Sequence, residues 1–254
     1  MNLEANSVGL FGKLPAHGDF VQRNLSADFI NIWDEWLQHF ISGTKEQLGE
    51  HWLDVYLTSP LWRFVFSAGV IDENNWAGIM IPSVDRVGRY YPFSIVKKLQ
   101  QSVNPYEFIQ QHNNWYSDIE ELALDALDGE ILIDDLMTEL DNKSAETNSD
   151  YSPSSFSLEG DAFQINMEFE EQSVSSVYPL LLDTIMTKTF QSYSVWQTTG
   201  SDYIGPCLLS SQGLPNVQQM PSLLNGDWEK CNWQQPYFLN LLNQSQENLE
   251  KKHE

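Results

Sequence analysis

The chain has 254 residues and carries 36 Asp and Glu against 13 Lys and Arg, a formal net charge of −23. A surface this acidic repels nucleic acid and anionic lipid headgroups, so polyanion binding is excluded as its main role. The length allows a sizeable core, 32 Trp, Tyr and Phe residues can fill it, and the two cysteines, Cys207 and Cys231, match neither a disulfide scaffold nor a zinc site.

Met1-Asn2-Leu3-Glu4 is not a basic, apolar leader, and no run approaches the roughly 18 apolar residues that span a bilayer. A cytoplasmic protein is expected. The charge is uneven: residues 1–98 hold 8 basic and 11 acidic side chains, whereas residues 99–254 hold 5 and 25.

In chain order, Val8 to Leu14 reads as a strand broken at Gly12, followed by the turn Pro15-Ala16-His17-Gly18-Asp19. Ser26 can cap a helix in which Phe29, Ile32, Trp33, Trp36, Leu37 and Phe40 recur at helical spacing, with Asp28 in the first turn. Phe64, Phe66, Ala68 and Val70 alternate with Arg63, Val65, Ser67 and Gly69, a strand with one apolar face. The polar turn Asp72 to Asn75 then leads into Trp76 to Ile81, whose unbroken apolar character predicts a central strand and a hairpin with the one before.

Pro82 to Phe93 follows directly and contains two of the four arginines, Arg86 and Arg89, beside Asp85, Tyr90 and Tyr91. Phe93 to Val96 is the next strand. Asn104-Pro105-Tyr106-Glu107 supplies a cap, a proline at the first helical position and a capping-box glutamate. The helix it starts is expected to run on through Phe108, His112, Trp115, Ile119, Leu122 and Ala126, with a second helix from Ile131 to Leu140.

Asp141 to Pro153 reads as a mobile acidic loop, and Phe163, Ile165, Met167 and Phe169 alternate as a strand. A helix opening near Pro179 is predicted over Val177 to Phe190, then a last strand over Tyr193 to Gln197. Residues 243–254 are a polar tail. Helices interleaved with at least five strands predict an α/β sandwich, here expected as one domain over residues 1–242 with a mixed central sheet.

Two clusters could carry chemistry. Lys13, His17, Asp19 and Arg23 lie between the first strand and first helix, but Gly9-Leu10-Phe11-Gly12-Lys13-Leu14 lacks both the four-residue glycine spacing and the hydroxyl of a phosphate-binding loop. In the second, Arg86 and Arg89 flank Gly88, so a turn could aim both guanidinium groups at one oxyanion or at Asp85 and Asp19. The alternative is an internal Arg-Asp network, its guanidinium faces covered by Tyr90, Tyr91 or Trp62. Nucleophilic catalysis would fall to Ser83 or Cys207, yet neither sits in a nucleophile elbow or beside a histidine in sequence. No histidine pair has metal-ligand spacing, so neither metal nor cofactor is expected. A hydrolase or small-molecule pocket built from His17, Asp19, Ser83, Asp85 and Arg86 remains the competing reading, and the acidic portion could also occupy a basic groove on a partner.

Four ordered blocks resemble a known family: Gly9 to Pro15 with Gly18-Asp19-Phe20 and Arg23; Phe29 to Leu37 around Trp33-Asp34-Trp36; Tyr56 to Phe64; and Pro82 to Pro92. Together they resemble the TagF family, also called ImpM, of type VI secretion accessory proteins, strongly over residues 8–98 and weakly at Tyr193 to Trp196, Gly213 to Pro215 and Gly226 to Trp228. The resemblance implies a three-layer α/β/α sandwich. It also implies a cytoplasmic, post-translational negative regulator that contacts a forkhead-associated scaffold component. It transfers no catalytic residue, and the chain shows no aspartate set of the PP2C-type phosphatases that accompany some members. Lys13, Asp19, Arg23, Arg63, Asp85, Arg86, Arg89 and Tyr90 are the residues expected to bind the partner or support the binding loop.

Overall fold

The computed structural model describes residues 8–143, 162–165 and 174–234. Strand β1 (Val8–Gly12) and the short β2 (Val21–Arg23) form a hairpin that precedes the long helix α1 (Ala27–Leu48). Ser26, extended at φ −70° and ψ 154°, caps α1 by accepting a 3.2 Å bond from the Phe29 amide, and Asp28 favours the positive end of the helix dipole. Ser26→Ala removes that acceptor and is expected to cost about 1 kcal/mol in chemical denaturation, with no change in the unfolding slope.

A single 3-10 turn leads from α1 into α2 (Trp52–Leu57), after which come β3 (Trp62–Phe66), β4 (Asn75–Ile81) and β5 (Phe93–Leu99). Helix α3 (Pro105–Gln111) starts as predicted, with the Asn104 side chain accepting from the Tyr106 and Glu107 amides. The expected continuous helix is instead broken at His112, whose φ −100° and ψ 35° separate α3 from α4 (Asn113–Asp128). Then follow α5 (Ile133–Asn142), α6 (Tyr178–Phe190), β6 (Tyr193–Thr198), β7 (Cys207–Gln212) and the one-turn α7 (Ser222–Asn225).

The strands form one seven-stranded sheet in the order β2-β1-β5-β4-β3-β6-β7, and every neighbouring pair is antiparallel. The expected mixed sheet is therefore corrected. Interleaved helices do not force parallel pairing: α1 and α2 lie on the connection from β2 to β3, α3 to α6 on that from β5 to β6, and neither connection joins strands that are neighbours in the sheet.

Alternation along the strands separates two cores. Trp62, Phe64, Phe66, Trp76 and Trp196 meet Phe29, Trp33 and Trp36 of α1 with Trp52 and Tyr56 of α2, and the Trp33 ring lies 5.0 Å from Trp36 and 5.2 Å from Phe64. Val65, Ala77, Ile79, Ile95 and Val195 join the other cluster, with Phe108, Trp115, Ile119, Leu122 and Leu136 from α3, α4 and α5. Gly78 is required in the central strand because a Cβ there would stand 2.3 Å from the Ile95 carbonyl oxygen.

Three further expectations change. The β3 strand begins at Trp62 and stops at Phe66, so Ala68 to Val70 belong to the turn. Tyr193 to Gln197 is not the last strand, because β7 pairs beside it. The strand expected over Phe163 to Phe169 falls partly outside the described residues, and 162–165 are not in a strand; residues 144–153 and the tail 243–254 also lie outside them.

Candidate functional site

Pro82 to Phe93 joins β4 to β5, and the pairing of Ile81 with Phe93 holds its two ends at the rim of the central sheet. Val84 and Tyr90 form an antiparallel bridge, the Tyr91 amide donates to the Ser83 carbonyl at 3.0 Å, and the Asp85 amide donates to the Arg89 carbonyl at 3.0 Å. The hairpin turns through Gly88, whose φ of 86° is open to glycine and strained for other residues. Asp19 and Arg23 take no part in it.

Asp85 organises the turn. Its fully buried carboxylate accepts the Val87 and Arg89 amides on Oδ1 at 3.0 and 2.9 Å, and the Lys13 ammonium and Arg89 Nε on Oδ2 at 2.9 and 2.6 Å. Burial alone would raise the pKa of this group. The Arg89 amide, the Lys13 and Arg89 side chains and the Val87 amide outweigh it, holding the carboxyl well below the usual carboxylate range.

Lys13 comes from the other side of the site. It follows Gly12, where β1 ends at φ 136° and a Cβ would lie 2.1 Å from the Pro92 carbonyl oxygen, so only glycine lets the two segments approach this closely. Its ammonium, on a residue 5 % exposed, also lies 5.0 Å from the centre of the Phe20 ring. The two loops are stitched further by Ser83 Oγ donating to the Lys13 carbonyl at 2.6 Å, the Arg86 amide to the His17 carbonyl at 2.9 Å, and Arg89 Nη2 to the Gly18 carbonyl at 2.6 Å. Tyr56 donates its hydroxyl to the Ser83 carbonyl at 3.0 Å and Tyr91 to Asp34; burial pushes both phenol pKa values up, so both stay protonated donors.

What this network leaves outside is the tip. Arg86 is exposed and its guanidinium forms no salt bridge among the described residues, Val87 is 65 % exposed, and the Arg89 side chain, although paired, is 56 % exposed. A guanidinium fork beside an apolar side chain on a fixed turn can recognise a surface. It is poorly equipped for hydrolysis: the Ser83 hydroxyl is buried and committed to a carbonyl, and a carboxylate held as low as Asp85 is not a proton shuttle near neutral pH.

The structure thus gathers Lys13, Ser83, Asp85, Arg86 and Arg89, with the backbone of His17, and separates the others. Arg63 lies on β3 facing α4, where Nε and Nη2 reach both oxygens of Glu120 at 2.5 and 2.8 Å, Nη1 reaches Asn113 at 3.0 Å and the guanidinium covers the Tyr116 ring. Arg23 stands 3.9 Å from Asp134 on the surface, and Asp19 accepts the Phe20 amide at 2.8 Å. The aromatic partners also differ from expectation: Tyr90 packs edge-on against Trp52 and Tyr56, Tyr91 binds Asp34, and Trp62 sits in the core with Nε1 donating to the Leu223 carbonyl. Phe20 and Tyr56 enter the sequence reading only as members of the blocks that resemble the family, not as site residues, because their aromatic spacing is ordinary and gives no local signal of their role.

A family model described as TagF N-terminal domain, type VI secretion system-associated, matches residues 9–142, which run from β1 to the end of α5. The crystal structure of PA0076 from Pseudomonas aeruginosa PAO1 is similar to the chain, with a TM-score of 0.70 and 29 % sequence identity, covering 91 % of this chain and 98 % of that one. No curated protein matches it. With more than half of its length matched, from the first strand through both loops of the site, the chain belongs to the TagF family of type VI secretion system-associated proteins.

Proposed function

We propose that the protein is a cytoplasmic, non-enzymatic negative regulator of type VI secretion that binds a forkhead-associated scaffold component through the tip Arg86-Val87-Gly88-Arg89. The observation that carries this reading is the division of labour around Asp85: four bonds to its carboxylate fix the turn, while Arg86, its guanidinium alongside Gly18, and Val87 remain exposed. A contact surface fixed before binding loses little conformational entropy on association, which favours recognition by a short loop. The supporting body is read as a three-layer α/β/α sandwich whose central sheet is antiparallel, with the tip at the rim of its two central strands.

The test separates contact from support. Arg86→Ala with Val87→Ser is expected to melt within about 2 °C of the wild type, because both residues are exposed. Capture of the forkhead-associated component in pull-down or calorimetry should weaken about tenfold or more, and secretion should rise toward that of cells lacking the protein. Undiminished capture and repression by the double variant would overturn the proposed surface.

A further inference from the structure

A groove of about 480 Å³ opens beside the root of the loop, between the segment after α2, the ends of β3 and β4, one face of α4 and the residues after β6. Leu57, Leu61, Pro82, Leu124 and Leu127 give it an apolar wall, and Leu57 and Leu124 remain 55 % and 50 % exposed at its edge. Arg63 and Glu120 line it as a closed pair: the guanidinium is already engaged by both Glu120 oxygens, Asn113 and Ser117, so it offers little to an incoming anion.

The electrostatic surroundings point the other way. Residues 105–142 contain eleven Asp and Glu and no Lys or Arg. Glu121 and Asp128 lie three residues before and four after Leu124, so helical spacing places both on its side of α4. Both are exposed, and neither forms a salt bridge among the described residues. Ser59, Thr198, Thr199 and Ser201 add hydroxyl groups to the groove.

We propose that this groove is a second docking site, which receives a partner-protein segment whose aliphatic side chains are flanked by Lys or Arg. Burial of Leu57 and Leu124 supplies the non-directional attraction, and the carboxylates of Glu121 and Asp128 choose a basic over an acidic segment. The site uses none of the exposed residues of the Arg86 tip, so it stands or falls separately from the proposed regulatory contact.

The test measures fluorescence anisotropy of the labelled peptide Lys-Arg-Leu-Leu-Lys-Arg with the full chain at physiological salt. Two analogues serve as comparisons, one with serines for the leucines and one with glutamates for the basic residues. Both analogues should bind at least about fivefold more weakly, as should Leu57→Ser with Leu124→Ser and, separately, Glu121→Gln with Asp128→Asn. Asp134→Asn with Asp135→Asn removes the same charge from exposed positions on α5 and should change affinity less than about twofold. The substituted leucines and carboxylates are all exposed, so thermal melts should stay within about 2 °C of the wild type. The proposal is overturned by no binding, by equal binding of the serine peptide or the leucine variant, or by an equal loss in the α5 control, which would mean a diffuse attraction to an acidic surface.

Discussion

Asp85→Ala is expected to lower the melting temperature by roughly 10 °C at neutral pH and to abolish partner capture even though the tip sequence is intact. The loss has two sources. Lys13, only 5 % exposed, is left with a buried ammonium whose carboxylate partner is gone, and the Val87 and Arg89 amides lose the acceptor that closes the turn. Asp85→Asn keeps the shape and one acceptor oxygen but not the charge, so it should fall between Asp85→Ala and wild type. The carboxyl is held below its ordinary pKa of about 3.9, so its contribution is complete above about pH 4 and drains away as the pH falls through the lowered value. Thermal melts taken from neutral pH downward should therefore show the gap between wild type and Asp85→Asn narrowing below about pH 4. An Asn variant that melts with the wild type at neutral pH would show that the charge does not hold the loop.

Much of that loop could be seen in advance, and the reasons differ by residue. Asp85, Gly88 and Arg89 are close in sequence, so a turn was enough to bring carboxylate and guanidinium together, and the i,i+4 pair is the result. Lys13 is 72 positions from Asp85, and Glu120 is 57 from Arg63. Those pairings depend on which elements pack side by side, which local periodicity does not report. Alternation identified the apolar face of β3, yet starting the strand at Arg63 hid Trp62; one residue earlier, Trp62, Phe64 and Phe66 fall on one face and the tryptophan is removed from any guanidinium-covering role. The three-residue β2 and the edge strand β7, Cys-Leu-Leu-Ser-Ser-Gln, are too short or too irregular in pattern to register. Strand direction was legible where hairpins are tight and illegible across the helical connections, which is why the sheet was expected to be mixed.

Arg63→Met should cost about 3 kcal/mol in urea denaturation, the largest loss expected from any of the four arginines. The residue is 8 % exposed, its guanidinium binds both Glu120 oxygens and Asn113, and the Glu120 side chain is only 23 % exposed. Removing the cation strands a largely buried carboxylate between β3 and α4, and that uncompensated charge accounts for most of the loss. Removing both partners should be milder: Arg63→Met with Glu120→Met replaces two desolvated charges by flexible apolar side chains and should recover at least half of the single-variant loss. A single variant that loses less than about 1 kcal/mol would mean that the pair behaves as a solvent-screened surface contact. The contrast with Arg86 follows from the partners each guanidinium has: Arg63 spends its donors inside the protein, so its removal is read in stability, whereas Arg86 is exposed and forms no salt bridge among the described residues, so its removal is read in binding.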